Sequence, residues 1–208
     1  MRITGGEMRS RRIEAPAGAA TRPSADKLRQ ALFNILGPAV GAGWFVDAYA
    51  GSGAVGIEAW SRGARPVLWI ERAPPALRAL RANLAALGIA GAEAQVMARA
   101  VAPALGAIEH IPEFSARGGH VFLDPPYADA REYTRALEAL GRCSLPRVRV
   151  IVEARRGMAL PEQCGRLGRE RSAVYGDSQL VFYTAAVHPG AAPAPAVPLA
   201  AAPPPAAS

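Results

Sequence analysis

Apolar positions along this chain come in two textures. Short, mainly apolar runs, at 44–48, 67–70, 94–97, 121–123 and 148–152, read as strands buried on both faces. Between them, stretches with apolar residues three or four positions apart, at 53–62, 74–87, 101–108 and 130–140, read as helices. Gly63 and Gly88 close two of those helices, and Pro74 opens one. Regular alternation of the two textures implies an α/β fold with a mostly parallel sheet covered on both faces. Upstream, 24–36 reads as a further helix with Ser24 as N-cap, an apolar stripe of Ala31, Leu32, Ile35 and Leu36, and a stop at Gly37-Pro38. Residues 3–15 read as a short hairpin or extended arm with a Gly5-Gly6 turn. Near the other end, 167–174 and 179–185 flank the turn residues Tyr175-Gly176-Asp177-Ser178, so an antiparallel hairpin should close the sheet, giving seven strands. From 187 onward the chain is almost entirely Ala and Pro and should be disordered, with polyproline II character. The division expected is a basic arm and helix over 1–40, a main domain over 41–186 and a tail over 187–208.

Composition narrows the class. Hydrophobic residues make up 50% of the 208 and charged residues 20%, which suits one globular domain with tails. No apolar run approaches the roughly 18 residues needed to span a bilayer, and the basic start Met1-Arg2-Ile3-Thr4-Gly5-Gly6 lacks the apolar core of a signal peptide. Cys143 and Cys164 are the only cysteines and have no metal-type spacing. A cytoplasmic, metal-free monomer with free thiols is expected. The net charge of +7 is carried almost wholly by arginine, Lys27 being the only lysine. A GC-rich coding sequence would leave the same composition, so placement decides more than amount. Arg2, Arg9, Arg11, Arg12, Arg22, Lys27 and Arg29 crowd the start of the chain against Glu7, Glu14 and Asp26. A basic appendage beside a main domain suits a phosphate backbone, and arginine can both grip phosphate bidentately and stack on bases.

Two motifs carry chemistry. After the first strand comes Asp47-Ala48-Tyr49-Ala50-Gly51-Ser52-Gly53-Ala54-Val55-Gly56, a G-x-G-x-x-G pattern between strand and helix. Such a loop admits close approach of a ligand and offers helix N–H groups to an anionic end. Glu71, at the end of the second strand, is placed to take both hydroxyls of a ribose. Asp47, ending the first strand, would repel a pyrophosphate but would suit the sulfonium and amino groups of S-adenosylmethionine. The second motif is Asp124-Pro125-Pro126-Tyr127, directly behind the fourth strand. Neither proline can donate to a ladder, so their carbonyls remain free to accept. With the Asp124 carboxylate and the Tyr127 ring they suit a flat, amine-bearing group such as a nucleobase. By itself the same tetrapeptide is ordinary turn chemistry.

These stretches resemble the RsmD family, 16S ribosomal RNA guanine-N2 methyltransferases. The resemblance is carried by residues 1–6, Thr21-Arg22-Pro23-Ser24-Ala25-Asp26-Lys27, Ala31-Leu32-Phe33-Asn34, the glycine loop, Glu58-Ala59 with Ser61-Arg62-Gly63-Ala64, residues 123–127 and the Tyr175-Gly176 hairpin, and covers roughly 1–186. Asp-Pro-Pro-Tyr is shared by many amino-methyltransferases; the basic arm with the Arg22-Pro23 helix is the family-specific part. The resemblance implies a class I, Rossmann-like methyltransferase fold that uses S-adenosylmethionine and acts on 16S rRNA within a small-subunit assembly particle. Asp47, Tyr49, Ala50, Gly51, Ser52, Gly53, Glu71 and Arg72 would then hold the cofactor. Asp124, Pro125 and Tyr127 would hold the target base, and Arg2, Arg9, Arg11, Arg12, Arg22 and Lys27 would contact RNA. The chain departs from the family at Met97-Ala98-Arg99-Ala100, where relatives carry an acidic residue near the adenine, and Tyr49 stands where phenylalanine is common.

Other readings share these motifs. An adenine-N6 or protein-amide methyltransferase of the same fold would use the same tetrapeptide. An NAD(P)-dependent oxidoreductase could use the glycine loop, although Asp47 argues against it. A silent RNA-binding protein would need neither Asp124 nor Glu71 at strand ends. His110, His120 and His188 are scattered and Asn83 reads as structural, while Arg155-Arg156 could touch RNA or simply face solvent.

Overall fold

Mainly apolar runs have little to offer water, so they collect at the centre of a covered sheet. The computed structural model, which describes residues 1–15, 23–115, 117–126, 129–145 and 147–185, sets β1 (Trp44–Ala48), β2 (Val67–Glu71), β3 (Ala94–Ala98), β4 (Gly119–Leu123) and β5 (Val148–Arg155) in parallel. An antiparallel edge is built from β6 (Gln163–Cys164), β7 (Leu167–Tyr175) and β8 (Ser178–Ala185), and the order is β3-β2-β1-β4-β5-β8-β7-β6. The sheet thus has eight strands, not seven. The extra one is two residues long, held by the pairs Gln163↔Gly168 and Cys164↔Leu167, too short for any periodicity to announce. Arg22, Tyr127 and the Ala/Pro tail lie outside the described residues.

Among the described residues, six α-helices flank the sheet. On one face lie α1 (Pro23–Leu36), α2 (Ala54–Ser61) and α3 (Pro74–Leu87); on the other lie α4 (Val101–Leu105), α5 (Pro112–Ser115) and α6 (Ala130–Arg142). The helix expected over 101–108 stops at Leu105, because Gly106 and Ala107 lead into a 3-10 turn at Ile108–His110. Gly37 ends α1 at φ 57°, as expected, but the chain winds on as a 3-10 helix over Gly37–Ala42. The β7–β8 turn falls where the sequence predicts it, with Tyr175 paired to Ser178 across Gly176-Asp177.

Side-chain alternation divides the core in two. Trp44, Val46 and Ala48 of β1, Val121 and Leu123 of β4 and Val150 and Val152 of β5 pack toward α4 and α6. Phe45, Trp69, Phe122, Ile151, Leu180 and Phe182 pack toward α1, α2 and α3. Asp47, Glu71, Asp124 and Glu153 follow Phe45, Trp69, Phe122 and Ile151 by two residues each. Their strands therefore project four carboxylates from the carboxyl edge on the second face.

The N-terminal segment is a small hairpin closed by an Arg2↔Arg12 bridge. Ile3 and Ile13 are 1% and 2% exposed, and burying each contributes roughly 1.5–3 kcal/mol against the cost of ordering the segment. Glu58 of α2, fully buried, accepts from the Thr4 backbone N–H and hydroxyl at 2.7 and 2.8 Å and pairs with Arg29 and Arg62. Gly6, at φ 77°, sits so close to the Ser61 carbonyl that an added Cβ would lie 1.9 Å from its oxygen. Among the described residues no helix is long and apolar enough to cross a membrane, and no His/Cys/Asp/Glu cluster could hold a metal.

Candidate active site

The order in which strands are added reverses between β1 and β4: the connection from β1 leads outward to β2 and β3, then returns to β4 on β1's other side. In open α/β sheets that switch point, at the carboxyl ends of the strands, leaves a crevice. Here it opens between the loop after β1 and Asp124-Pro125-Pro126 after β4.

The loop is bent by left-handed residues: Tyr49 at φ 64°, Gly51 at φ 56° and Gly53 at φ 80°. For Tyr49 that conformation costs roughly 1–2 kcal/mol. Its hydroxyl is held by Glu132 of α6 at 2.9 Å, and burial together with Glu132 raises the phenol's pKa above the usual value. Nothing lies within 4 Å of where a Cβ on Gly51 would be, so backbone is open there to a ligand. Gly56 serves packing instead, since an added Cβ would lie 2.2 Å from Trp69 Nε1 on β2. Asn83 of α3 ties the loop to the N-terminal segment, donating to the Ser52 and Glu14 carbonyls at 3.0 and 2.9 Å and accepting from Glu14 N–H.

Asp47 is 2% exposed and accepts the Gly56 N–H at 2.8 Å. Burial pushes its carboxyl up to about 7, with Glu71 adding to the rise while the Gly56 N–H and Arg29 oppose it. Glu71 accepts the Gly51 N–H at 2.9 Å and the Arg72 and Ala73 N–H groups at 2.7 Å each. It is therefore held by backbone, not by an arginine side chain. Across the crevice, burial first and then Glu153 and Asp47 push the Asp124 carboxyl well above the usual carboxylate range. Pro125 is buried, and its carbonyl accepts the Tyr133 hydroxyl at 3.4 Å, a long bond that leaves a lone pair available.

Two cavities meet at Tyr49 and Asp124. The larger, of about 870 Å³, is lined by Tyr49, Glu71, Arg72, Asp124, Pro125 and residues 100–103. The smaller, of about 220 Å³, reaches Asp47, the loop from Tyr49 to Ser52, Glu153 and the α1 residues Leu28, Arg29 and Leu32. Nearly all the sequence-predicted cofactor residues thus converge, while Gly53 sets the turn without lining either space. Arg99, where the chain departs from the family, is exposed, and the larger cavity is lined on that side by Ala100, Val101, Ala102 and Pro103. A glutamate at a strand end, an open backbone turn and a buried carboxylate suit a ligand with a ribose and a cationic head, as S-adenosylmethionine has.

Of the arginines expected at RNA, Arg9 and Arg12 are exposed, as is Lys27. Arg2 is exposed but donates to the Ser10 carbonyl, and Arg11 reaches the Ala86 and Leu87 carbonyls that end α3. Sequence reading passed over Tyr133, Glu132 and Glu153. The first two sit in a helix whose register against the crevice no local pattern reveals. Glu153 did leave a signal: a charge between apolar Val152 and Ala154.

A family model described as Conserved hypothetical protein 95 matches residues 1–184. The YlbH protein of Bacillus subtilis (strain 168) is 34% identical over 192 residues, covering 88% of this chain and 98% of its own. The ribosomal RNA small subunit methyltransferase D of Escherichia coli (strain K12) is 35% identical over 127 residues, covering 61% of this chain and 60% of that protein. Among solved structures, the yhhF protein from Escherichia coli aligns with a TM-score of 0.71 at 29% identity, over 89% of this chain and 97% of that one. The architecture is the class I S-adenosylmethionine-dependent methyltransferase fold.

Proposed function

Since the chain belongs to the RsmD family of rRNA methyltransferases, we propose that it methylates the exocyclic N2 amine of one guanine in 16S ribosomal RNA. The observation that carries the reading is the half-buried Asp124 carboxylate beside the Pro125 carbonyl, at the switch point and adjoining Asp47. Bound S-adenosylmethionine supplies an electrophilic methyl on a positively charged sulfur. Asp47, Tyr49, Ala50, Gly51, Ser52, Gly53, Glu71 and Arg72 would hold it, Glu71 through the ribose and Asp47 through opposite charge.

An exocyclic base amine is a weak nucleophile because its lone pair is delocalised into the ring. Asp124 accepts one of its N–H groups and the Pro125 carbonyl the other, which favours a more tetrahedral nitrogen and aims the lone pair. The gain is positioning and electrostatic stabilisation. The raised basicity of Asp124 suits it to receive the proton that the methylated amine sheds. Tyr127, next along the chain, would stack on the extruded base and offset the few kcal/mol spent unstacking it. Arg2, Arg9, Arg11, Arg12, Arg22 and Lys27 would meet phosphate. The substrate in this reading is a small-subunit assembly particle, met in the cytoplasm by a monomer whose segment 1–40 contacts RNA beside a catalytic domain over 41–186.

The test is transfer of labelled methyl to small-subunit particles from a strain lacking its own counterpart, followed by nucleoside mass spectrometry and mapping. N2-methylguanosine at one site is expected, and Asp124→Asn should lower turnover at least about a hundredfold without changing cofactor affinity. N6-methyladenosine as product would overturn the guanine reading. Wild-type turnover in the variant would overturn the amine clamp.

A further inference from the structure

The carboxyl edge of the sheet carries cations as well as the acids of the crevice. Arg72 follows β2, Arg99 follows β3, Arg131 opens α6, and Arg155 and Arg156 lie at the end of β5; all five are exposed. None of the five is ion-paired with a described residue, whereas Arg29, Arg62 and Arg169 are each matched to a carboxylate. Strand order sorts them. β2 and β3 lie on the side of the crevice where Glu71 and residues 100–103 line the larger cavity, the side given above to the cofactor. β5 lies on the other side, next to β4 and the Asp124-Pro125 pair given to the target base.

Arg155 and Arg156 are also held in place. Arg156 N–H donates to the Asp177 carbonyl in the β7–β8 turn at 2.8 Å, and Met158 N–H donates to the Arg155 carbonyl at 3.0 Å across Gly157, whose φ is 78°. Gln179 Nε2 closes the turn on the Met158 carbonyl at 2.8 Å, and the β5–β8 ladder runs up to Arg155↔Ser178. Asp177 is the one acid among residues 154–160 and 175–179, so the turn carries a net positive charge. Arg155 lies two residues beyond Glu153, which lines the smaller cavity with Asp124; at roughly 3.3 Å per residue the two are roughly 6.6 Å apart along the strand. The N-terminal arm is placed differently. Glu7 and Met8 N–H are held by Ser61 at the end of α2, and Arg11 reaches the Ala86 and Leu87 carbonyls at the end of α3. Both helices run back from the crevice, and the 14 residues of α3 span roughly 21 Å at 1.5 Å each. The tip of the arm, with Arg9 and Arg11, thus lies toward the opposite edge of the sheet.

A base extruded into the crevice brings its own phosphate and the adjoining ones to the mouth. That is where two guanidinium groups stand on a turn fixed by backbone bonds, and arginine's planar fork matches phosphate oxygens bidentately. We propose that Arg155 and Arg156 bind the phosphates of the RNA segment that carries the target base, while the tip of the arm meets RNA remote from it. The assignment rests on the RNA part of the reading above and is independent of which base is methylated. It gives the two patches different work: the arm adds to attachment of the particle, and the β5 turn holds the strand from which the base is drawn.

Unmodified small-subunit particles, titrated with the full chain at several salt concentrations, test it. Arg155→Ala/Arg156→Ala should flatten the dependence of log affinity on log salt by about 0.7–0.9 per charge, roughly 1.4–1.8 for the pair. At about 0.15 M salt the same loss should raise KM for particles about ten- to thirtyfold. Turnover at saturating particle, cofactor affinity and Tm should not change. Arg155→Gln/Arg156→Gln keeps most of each stem and serves if the alanine pair fails to fold. Arg155→Lys/Arg156→Lys keeps the charge and should restore the slope. Arg78 and Arg81, exposed on α3, provide the comparison: Arg78→Ala/Arg81→Ala removes the same charge away from the crevice and should leave the slope as in wild type. An unchanged slope and KM in the β5 pair, equal flattening by the α3 pair, or a lysine pair that behaves like the alanine pair would each overturn the assignment. If the wild type methylates particle RNA while the β5 pair keeps its slope and KM, the phosphate role is ruled out and the function stands. If the wild type transfers no methyl to RNA at all, the functional reading itself has failed, and the role of Arg155 and Arg156 with it.

Discussion

In the proposed function Asp47 would sense the charge of the cofactor beside it. Its carboxyl is held at about 7 by burial, with Glu71 raising it and the Gly56 N–H and Arg29 opposing; Asp124 lies close enough to feel its charge. A folded-state value above the unfolded 3.8 means that the folded form binds the extra proton between the two. The Asp47 contribution to the stability of the cofactor-free protein is therefore full below pH 3.8 and is lost as pH rises toward 7. Cofactor binding runs the other way, because a cationic head favours the ionised carboxylate. Affinity for S-adenosylmethionine should tighten from pH 5.5 to 7.5, and calorimetry in buffers of different ionisation enthalpy should register proton release near pH 6. Asp47→Asn should abolish both trends. A pH-independent affinity in the wild type would show that Asp47 is already ionised or does not face the cation.

At the scale of elements, the decisive contact is α2 against β2. Both Gly53 and Gly56 lie against Trp69, whose Nε1 donates to the Gly53 carbonyl at 3.3 Å, so the glycine loop takes its shape from a tryptophan on the neighbouring strand. Gly56 also supplies the N–H that holds Asp47. Gly56→Ala should therefore act twice, lowering stability by about 1–3 kcal/mol through overpacking and weakening cofactor binding by displacing that donor. Denaturant unfolding and calorimetry read the two effects separately. Trimming the obstacle in Gly56→Ala/Trp69→Leu should recover part of the affinity, a coupling that independent sites would not show. Full additivity would mean that the loop's shape does not depend on this packing.

Over the whole molecule, the N-terminal segment is both core and periphery. Ile3, Ile13 and the ion cluster of Arg29 and Arg62 around Glu58 bind it to α2, and Asn83 links it to the cofactor loop. Removing one member of such a buried cluster costs about 3–5 kcal/mol, so Arg29 and Glu58 belong to stability rather than to RNA. Arg9, Arg12 and Lys27 remain exposed. If they meet phosphate, Arg12→Ala with Lys27→Ala should flatten the dependence of log affinity on log salt by about 0.7–0.9 per charge, with Tm unchanged. Particle-binding titrations at several salt concentrations decide it. An unchanged slope would place the RNA elsewhere.

Local chemistry was enough to reveal the strand–helix alternation, the glycine loop after β1, the turn between β7 and β8 and the position of Asp124-Pro125 just behind β4. Each is set by neighbours in sequence: β1 at 44–48 and α3 at 74–87 appear where hydrophobic period and the Pro74 and Gly88 stops put them. What depends on partners distant in the chain was hidden. The two-residue β6 exists only because Leu167 and Gly168 present a ladder to it. The left-handed Tyr49 reaches Glu132 on a helix from the opposite face. The neighbouring positions of Asp124 and Glu153 come from the register of β4 on β5. Sequence alone thus determined which groups could do chemistry, because residue type and strand-end position are local properties. Only the tertiary structure decided which of them share a cavity, because strand order and register are settled by packing two faces of a sheet at once.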